Sequence, residues 1–171
     1  MSLANALLVD AFGRVRDAVH GAVQGLSQEQ LTYRVDPDAN TIAWLVWHLT
    51  RVQDDHVAGL AGTEQVWHRD DWVGRFGLPF DRNAHGYGMS SQEVAAVDVP
   101  ADLLLDYHDA VHARTVSYVE SLGEGDYDEI IDRSWDPPVT RAVRLVSVVE
   151  DDLQHVGQAA FVRGVVQRRA G

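Results

Sequence analysis

Residues 140–163 read TRAVRLVSVVEDDLQHVGQAAFVR. Apolar residues recur there every three or four positions and cover most of the circumference, which predicts one long helix. Asp151 and His155 lie four residues apart on it, a spacing that sets both side chains on the same helical face. Their stripe continues through Val148, Ala159, Val162 and Val166. A carboxylate and an imidazole facing a core are costly unless each has a partner.

Three further helices follow from the same periodicity. Residues 3–25 carry Leu7, Leu8, Phe12, Val15 and Val19 on one side and end at Gly25. Ser27 and Gln30 resemble a capping box that opens a short turn over 27–33. The second long helix spans 41–61 with Asn40 as its expected N-cap. Its stripe reads Leu45, His48, Val52 and Asp55, flanked by Trp44 and Trp47. The third spans 101–122 behind Pro100. Residues 62–99 break the rhythm with five glycines and Pro79 and with Trp67, Trp72, Phe76 and Phe80. A connection of this length is expected to be a functional loop or a crossover. It holds one short helix, 91–97, behind Ser90 and Glu93. Residues 124–139 read as a loop with an extended piece at 130–134, and Thr140 caps the fourth helix. The expected fold is all-α, a four-helix bundle with a long crossover between its second and third long helices, in a single domain over 1–171.

Composition narrows the function. Net charge is −12 and all 14 basic residues are arginine, which argues against a nucleic-acid or anionic-membrane surface. There is no cysteine, so thiol chemistry needs a thiol from outside. No apolar run has the length of a membrane span or the form of a signal peptide. The expectation is a cytoplasmic protein.

Bundle sites are built from side chains on facing helices. Asp151 and His155 supply two candidate ligands, and His48 supplies a third from the second helix. Two histidines and a carboxylate suit a divalent metal and leave room for water or substrate. The same residues also read without metal, with Asp151 accepting a hydrogen bond from His155 and His48 as a satisfied core histidine. His108 and His112, also four apart, form a rival pair, either ligating or on a partly exposed face. Asp54, Asp55 and His56 read as a solvated helix end, with Asp55 able to orient a ligand. His68 and His85 fall in the long connection as candidate pocket residues.

NTIAWLVWHLTRVQDDH together with EDDLQHVGQ resembles the DinB-like superfamily, which includes the N-terminal domain of mycothiol-dependent maleylpyruvate isomerase and thiol-dependent S-transferases. The resemblance implies a divalent metal, zinc or nickel, held by His48, Asp151 and His155. Asp151 departs from the usual His or Glu at its position. It implies a low-molecular-weight thiol such as mycothiol, activated for attack on a small electrophile bound under the aromatic connection, and a homodimer. Two other functions stay open: a non-catalytic dimeric bundle with a degenerate metal site, and a metal-dependent hydrolase.

Overall fold

Helix ends follow from capping chemistry. The computed structural model describes residues 2–169, so Met1, Ala170 and Gly171 lie outside the described residues. Ser2 caps helix α1, Leu3–Val23, by accepting from the Asn5 amide at 3.2 Å. The Ser27–Gln30 capping box opens α2, Gln28–Leu31. Helix α3, Ile42–Ala61, is capped by Thr41, whose hydroxyl accepts from the Trp44 amide at 3.0 Å. This corrects the expected Asn40 cap by one residue. Gly62, in the left-handed region at φ 64°, ends the helix.

The connection to the next long helix is more ordered than its glycines suggest. It contains α4 (Val66–Arg69), α5 (Trp72–Phe76) and α6 (Ser91–Ala95). A buried carboxylate fixes its start. Asp54 accepts from the amides of Val66 (2.9 Å) and Trp67 (2.8 Å) and from the Tyr107 hydroxyl (2.9 Å). Three donors offset the cost of burying the charge, so Asp54 belongs to the core and not to a solvated helix end. Trp67, Trp72 and Phe76 pack around Tyr107 with ring centroids 5.1–5.6 Å apart for the pairs Trp67–Phe76, Trp67–Tyr107, Trp72–Tyr107 and Phe76–Tyr107. These aromatics are core, not the roof over a ligand.

Helix α7, Ala101–Ser121, follows Pro100 at its N-cap. A 3-10 turn at Glu124–Asp128 leads into strand β1, Ile130–Asp132, which pairs antiparallel with β2, Val139–Thr140. The extended piece was expected, its partner was not. Helix α8, Arg141–Arg169, runs past the expected end at 163, because buried Val162 and Val166 hold its last turns to the core.

The four long helices form the corners of a bundle, with α8 and α7 each packed between α1 and α3. Asn5 bonds the Val119 carbonyl and Arg16 bonds Asp109, so α1 and α7 are antiparallel. Thr50 meets His108 and Leu60 meets Tyr118, so α3 and α7 are parallel. Parallel neighbours require a connection that travels back along the bundle, and residues 62–100 make that crossover. No helix among the described residues is long and apolar enough to cross a membrane.

Candidate metal centre

His48 sits in the middle of α3 and is 2 % exposed. Its ring stacks on Trp44, with centroids 4.6 Å apart and planes 14° apart. Trp47, expected to shield it too, turns the other way onto Trp67 and Phe80. The crossover covers His48 through its backbone. The His48 Nδ1 lies in hydrogen-bond contact with the His85 carbonyl. A carbonyl only accepts, so Nδ1 carries the hydrogen and Nε2 keeps a free lone pair. That is the tautomer a metal ligand needs.

Gly86 makes this contact feasible. Its φ is +109°, and a Cβ there would overlap the His48 ring. Two further bonds hold the segment down. Arg51, fully buried, donates from Nε to the Ala84 carbonyl at 3.1 Å, and the Trp67 indole donates to the Arg82 carbonyl at 2.8 Å.

On α8, His155 donates from Nδ1 to the Asp151 carbonyl at 2.8 Å, which also leaves its Nε2 free. The His155 and His48 rings are 4.7 Å apart, edge to face. Asp151 approaches His155 Nδ1 with Oδ2 at 3.4 Å, and this buried oxygen has no hydrogen-bond donor. One ligand atom from each of His48, Asp151 and His155 lies within 4.8 Å of the other two. Ligands around one zinc ion lie about 2.0–2.2 Å from it, so atoms within 4.8 Å of one another are close to the spacing that a shared ion needs. The donor set fits a divalent ion on two grounds: two free imidazole lone pairs and one orphaned carboxylate oxygen.

Electrostatics act in opposite directions on the two imidazoles. Burial lowers the His48 imidazole below its ordinary range, so it stays neutral. The Asp151 carboxylate raises that of His155. Burial works to raise Asp151, yet the His155 imidazole beside it and the other histidines nearby hold it below the usual carboxylate range. Next to it, Asp152 is fully buried with neither oxygen bonded, and burial keeps its carboxyl well above that range. The sequence pattern did not single out Asp152.

The rival pair lies elsewhere. His108 is fully buried and shares a 3.1 Å hydrogen bond with the Thr50 hydroxyl. It is neither on a partly exposed face nor grouped with two other ligands. Among the described residues, His48, Asp151 and His155 form the one cluster of three close enough to share an ion. His56 contacts Arg144, and His68 contacts Arg82. Asp55 accepts from Gln65 and does not touch a candidate ligand. His85 contributes its carbonyl, not its ring.

Two clefts lie along α3 and α8, and neither is lined by His48, Asp151 or His155. An apolar one of about 650 Å³ runs along Leu45, Leu153, Gly157, Phe161 and Val162. A polar one of about 550 Å³ is lined by His56, Arg141 and Arg144. Tyr87, largely exposed, stands edge-on to His48 with centroids 5.2 Å apart.

A family model described as mycothiol-S-transferase matches residues 7–167. A solved structure, a conserved protein from Enterococcus faecalis, superposes with a TM-score of 0.90 at 29 % identity, over 97 % of this chain and 98 % of that one. No curated protein matches the chain.

Proposed function

Because this chain belongs to the mycothiol-S-transferase family, a DinB-like family, we propose that it transfers a low-molecular-weight thiol of the mycothiol type to a small electrophile, with a divalent metal held by His48, Asp151 and His155. The observation that carries the reading is that His48, Asp151 and His155 each bring one ligand atom to within 4.8 Å of the other two. A bound zinc or nickel ion supplies Lewis acidity, which makes a thiol a thiolate at neutral pH.

The chain supplies the rest. The His85 carbonyl and the Asp151 carbonyl hold the two imidazoles in their ligating tautomers. Trp44 and Tyr87 wall the imidazole of His48 and limit water. The apolar cleft beside Leu45 and Phe161 suits the carbon skeleton of a substrate. With no cysteine in the chain, the sulfur must come from the co-substrate. Leu3, Leu7, Val143 and Val146 are exposed on α1 and α8, and we read them as a homodimer surface. A cytoplasmic setting, where small thiols stay reduced, fits this chemistry.

The test is thiol consumption with a chromogenic electrophile, with and without zinc. Turnover that depends on both thiol and metal supports the proposal. Turnover without thiol points to the hydrolase, and no turnover with either points to the non-catalytic bundle.

A further inference from the structure

The polar cleft is placed by two helical repeats. His48 and Asp55 are seven residues apart on α3, and Arg144 and Asp151 are seven apart on α8. Seven residues return to the same face, about 10.5 Å further along the axis. His48 meets His155 while His56 meets Arg144, so α3 and α8 are antiparallel. The metal ligands therefore lie at one end of an α3–α8 groove, and Arg144 and His56 lie at the other. Tyr87 stands at the ligand end, edge-on to His48 with centroids 5.2 Å apart.

The two arginines of the cleft differ in what they hold. Arg141 bonds the Asp126 and Leu60 carbonyls, the Tyr118 hydroxyl and the Glu129 carboxylate. It is a structural tie. Arg144 uses two donors, at 3.2 Å to His56 Nδ1 and at 3.4 Å to Asp132. A guanidinium has five, and the Arg144 side chain is 23 % exposed. His56 accepts at Nδ1, so its own hydrogen is on Nε2, a second donor at the cleft wall. Of the acidic residues there, Glu129 is paired with Arg141, and Asp55 accepts a single hydrogen bond from the neutral Gln65 amide. A partly free guanidinium beside a neutral imidazole donor is a fork for an oxyanion.

We propose that this end of the groove binds an anionic group of the electrophile, a carboxylate or comparable oxyanion, held by Arg144 and His56 about 10 Å from the carbon that the thiol attacks. The word electrophile rests on the transferase reading; the anion site does not. A maleimide satisfies the chemistry. The thiol sulfur bonds one alkene carbon, the π pair moves to the other, and that carbon takes the proton the thiol lost. Nothing is oxidised or reduced.

Binding of N-(4-carboxyphenyl)succinimide and of N-phenylsuccinimide, unreactive analogues that differ by one carboxylate, is measured by calorimetry on zinc-loaded and on metal-free protein. The carboxylate compound is expected to bind roughly ten-fold tighter in both forms. Arg144→Gln removes that preference. Asp132→Asn, which frees Arg144 from its carboxylate partner, increases it and serves as a second variant if Arg144→Gln does not fold. Equal binding of the two compounds, a preference retained by Arg144→Gln, or no gain in Asp132→Asn overturns the proposal. Turnover of the matching maleimides with mycothiol separates the two readings. If the binding preference holds and neither maleimide reacts, the anion site stands and the transferase falls.

Discussion

Gly86 lies directly against the imidazole of His48, with no space for a side chain between them. A backbone segment of the crossover, not a side chain, therefore sets the tautomer of the candidate ligand on α3. Gly86→Ala strains the backbone at φ +109° and drives the methyl into the ring. Loss of a partner that orients a metal ligand typically costs 10–100-fold in affinity. The expected outcome is a zinc affinity lower by that factor with the helical content retained, checked by competition with a chromogenic chelator and by circular dichroism. Unchanged affinity would mean that the His85 carbonyl does not orient His48.

Asp54 ties the crossover to α3. Asp54→Ala leaves two buried amides, the Tyr107 hydroxyl and the Arg51 guanidinium without their carboxylate. Breaking a buried charged network of this kind costs about 3–5 kcal/mol. Asp70→Ala, which breaks the exposed pair with Arg69, is expected to cost under about 1 kcal/mol. Urea unfolding of both variants checks the contrast, and similar losses for the two would contradict it.

His108 gives the fold an acid limit. Burial, reinforced by His112, pushes its imidazole down from 6.5 to about 3. In the unfolded chain the ring titrates near 6.5. Between these values the unfolded state binds a proton that the folded state refuses, so stability falls as pH drops from about 6.5 towards 3, by at most about 1.4 kcal/mol per unit. Above about 6.5 the group contributes no slope. In His108→Gln the slope of unfolding free energy against pH should be shallower by about one proton over that window. Urea titrations at several pH values measure it, and an unchanged slope would place the proton elsewhere.

The carboxylate at residue 151 is one methylene shorter than glutamate, yet one of its oxygens already lies within 4.8 Å of a ring nitrogen of each imidazole. Asp151→Asn keeps the shape and removes the charge. A fall in zinc affinity of at least ten-fold is expected by chelator competition, and equal affinity would leave Asp151 as no more than a partner of His155.

How much of this was legible in the sequence depended on periodicity. His48, Asp151 and His155 were picked because each falls on a stripe of apolar neighbours at helical spacing, and the structure brings the three together. Spacing fails where neighbours in sequence differ in burial. In the Asp151–Asp152 pair, the fully buried residue is Asp152, and a stripe drawn through residue 151 passes it by. Asp54, Asp55 and His56 looked like one polar helix end, although Asp54 is buried under a crossover whose path no local pattern encodes. Gly86 reads as one glycine among several in the crossover, because its role depends on a ring 38 positions earlier. The aromatics of the crossover were expected over a ligand, but Tyr107 on α7 draws Trp67, Trp72 and Phe76 into the core. Residues whose partners lie on other elements are the ones that sequence patterns left out.

The most direct test is the metal content of untagged protein, measured by elemental analysis alongside His48→Ala and His155→Ala. The expected result is one divalent ion per chain in the native protein and none in either variant, with all three equally helical. A native protein free of metal even after incubation with zinc and nickel, or variants that retain a full equivalent, would contradict the metal centre at its root.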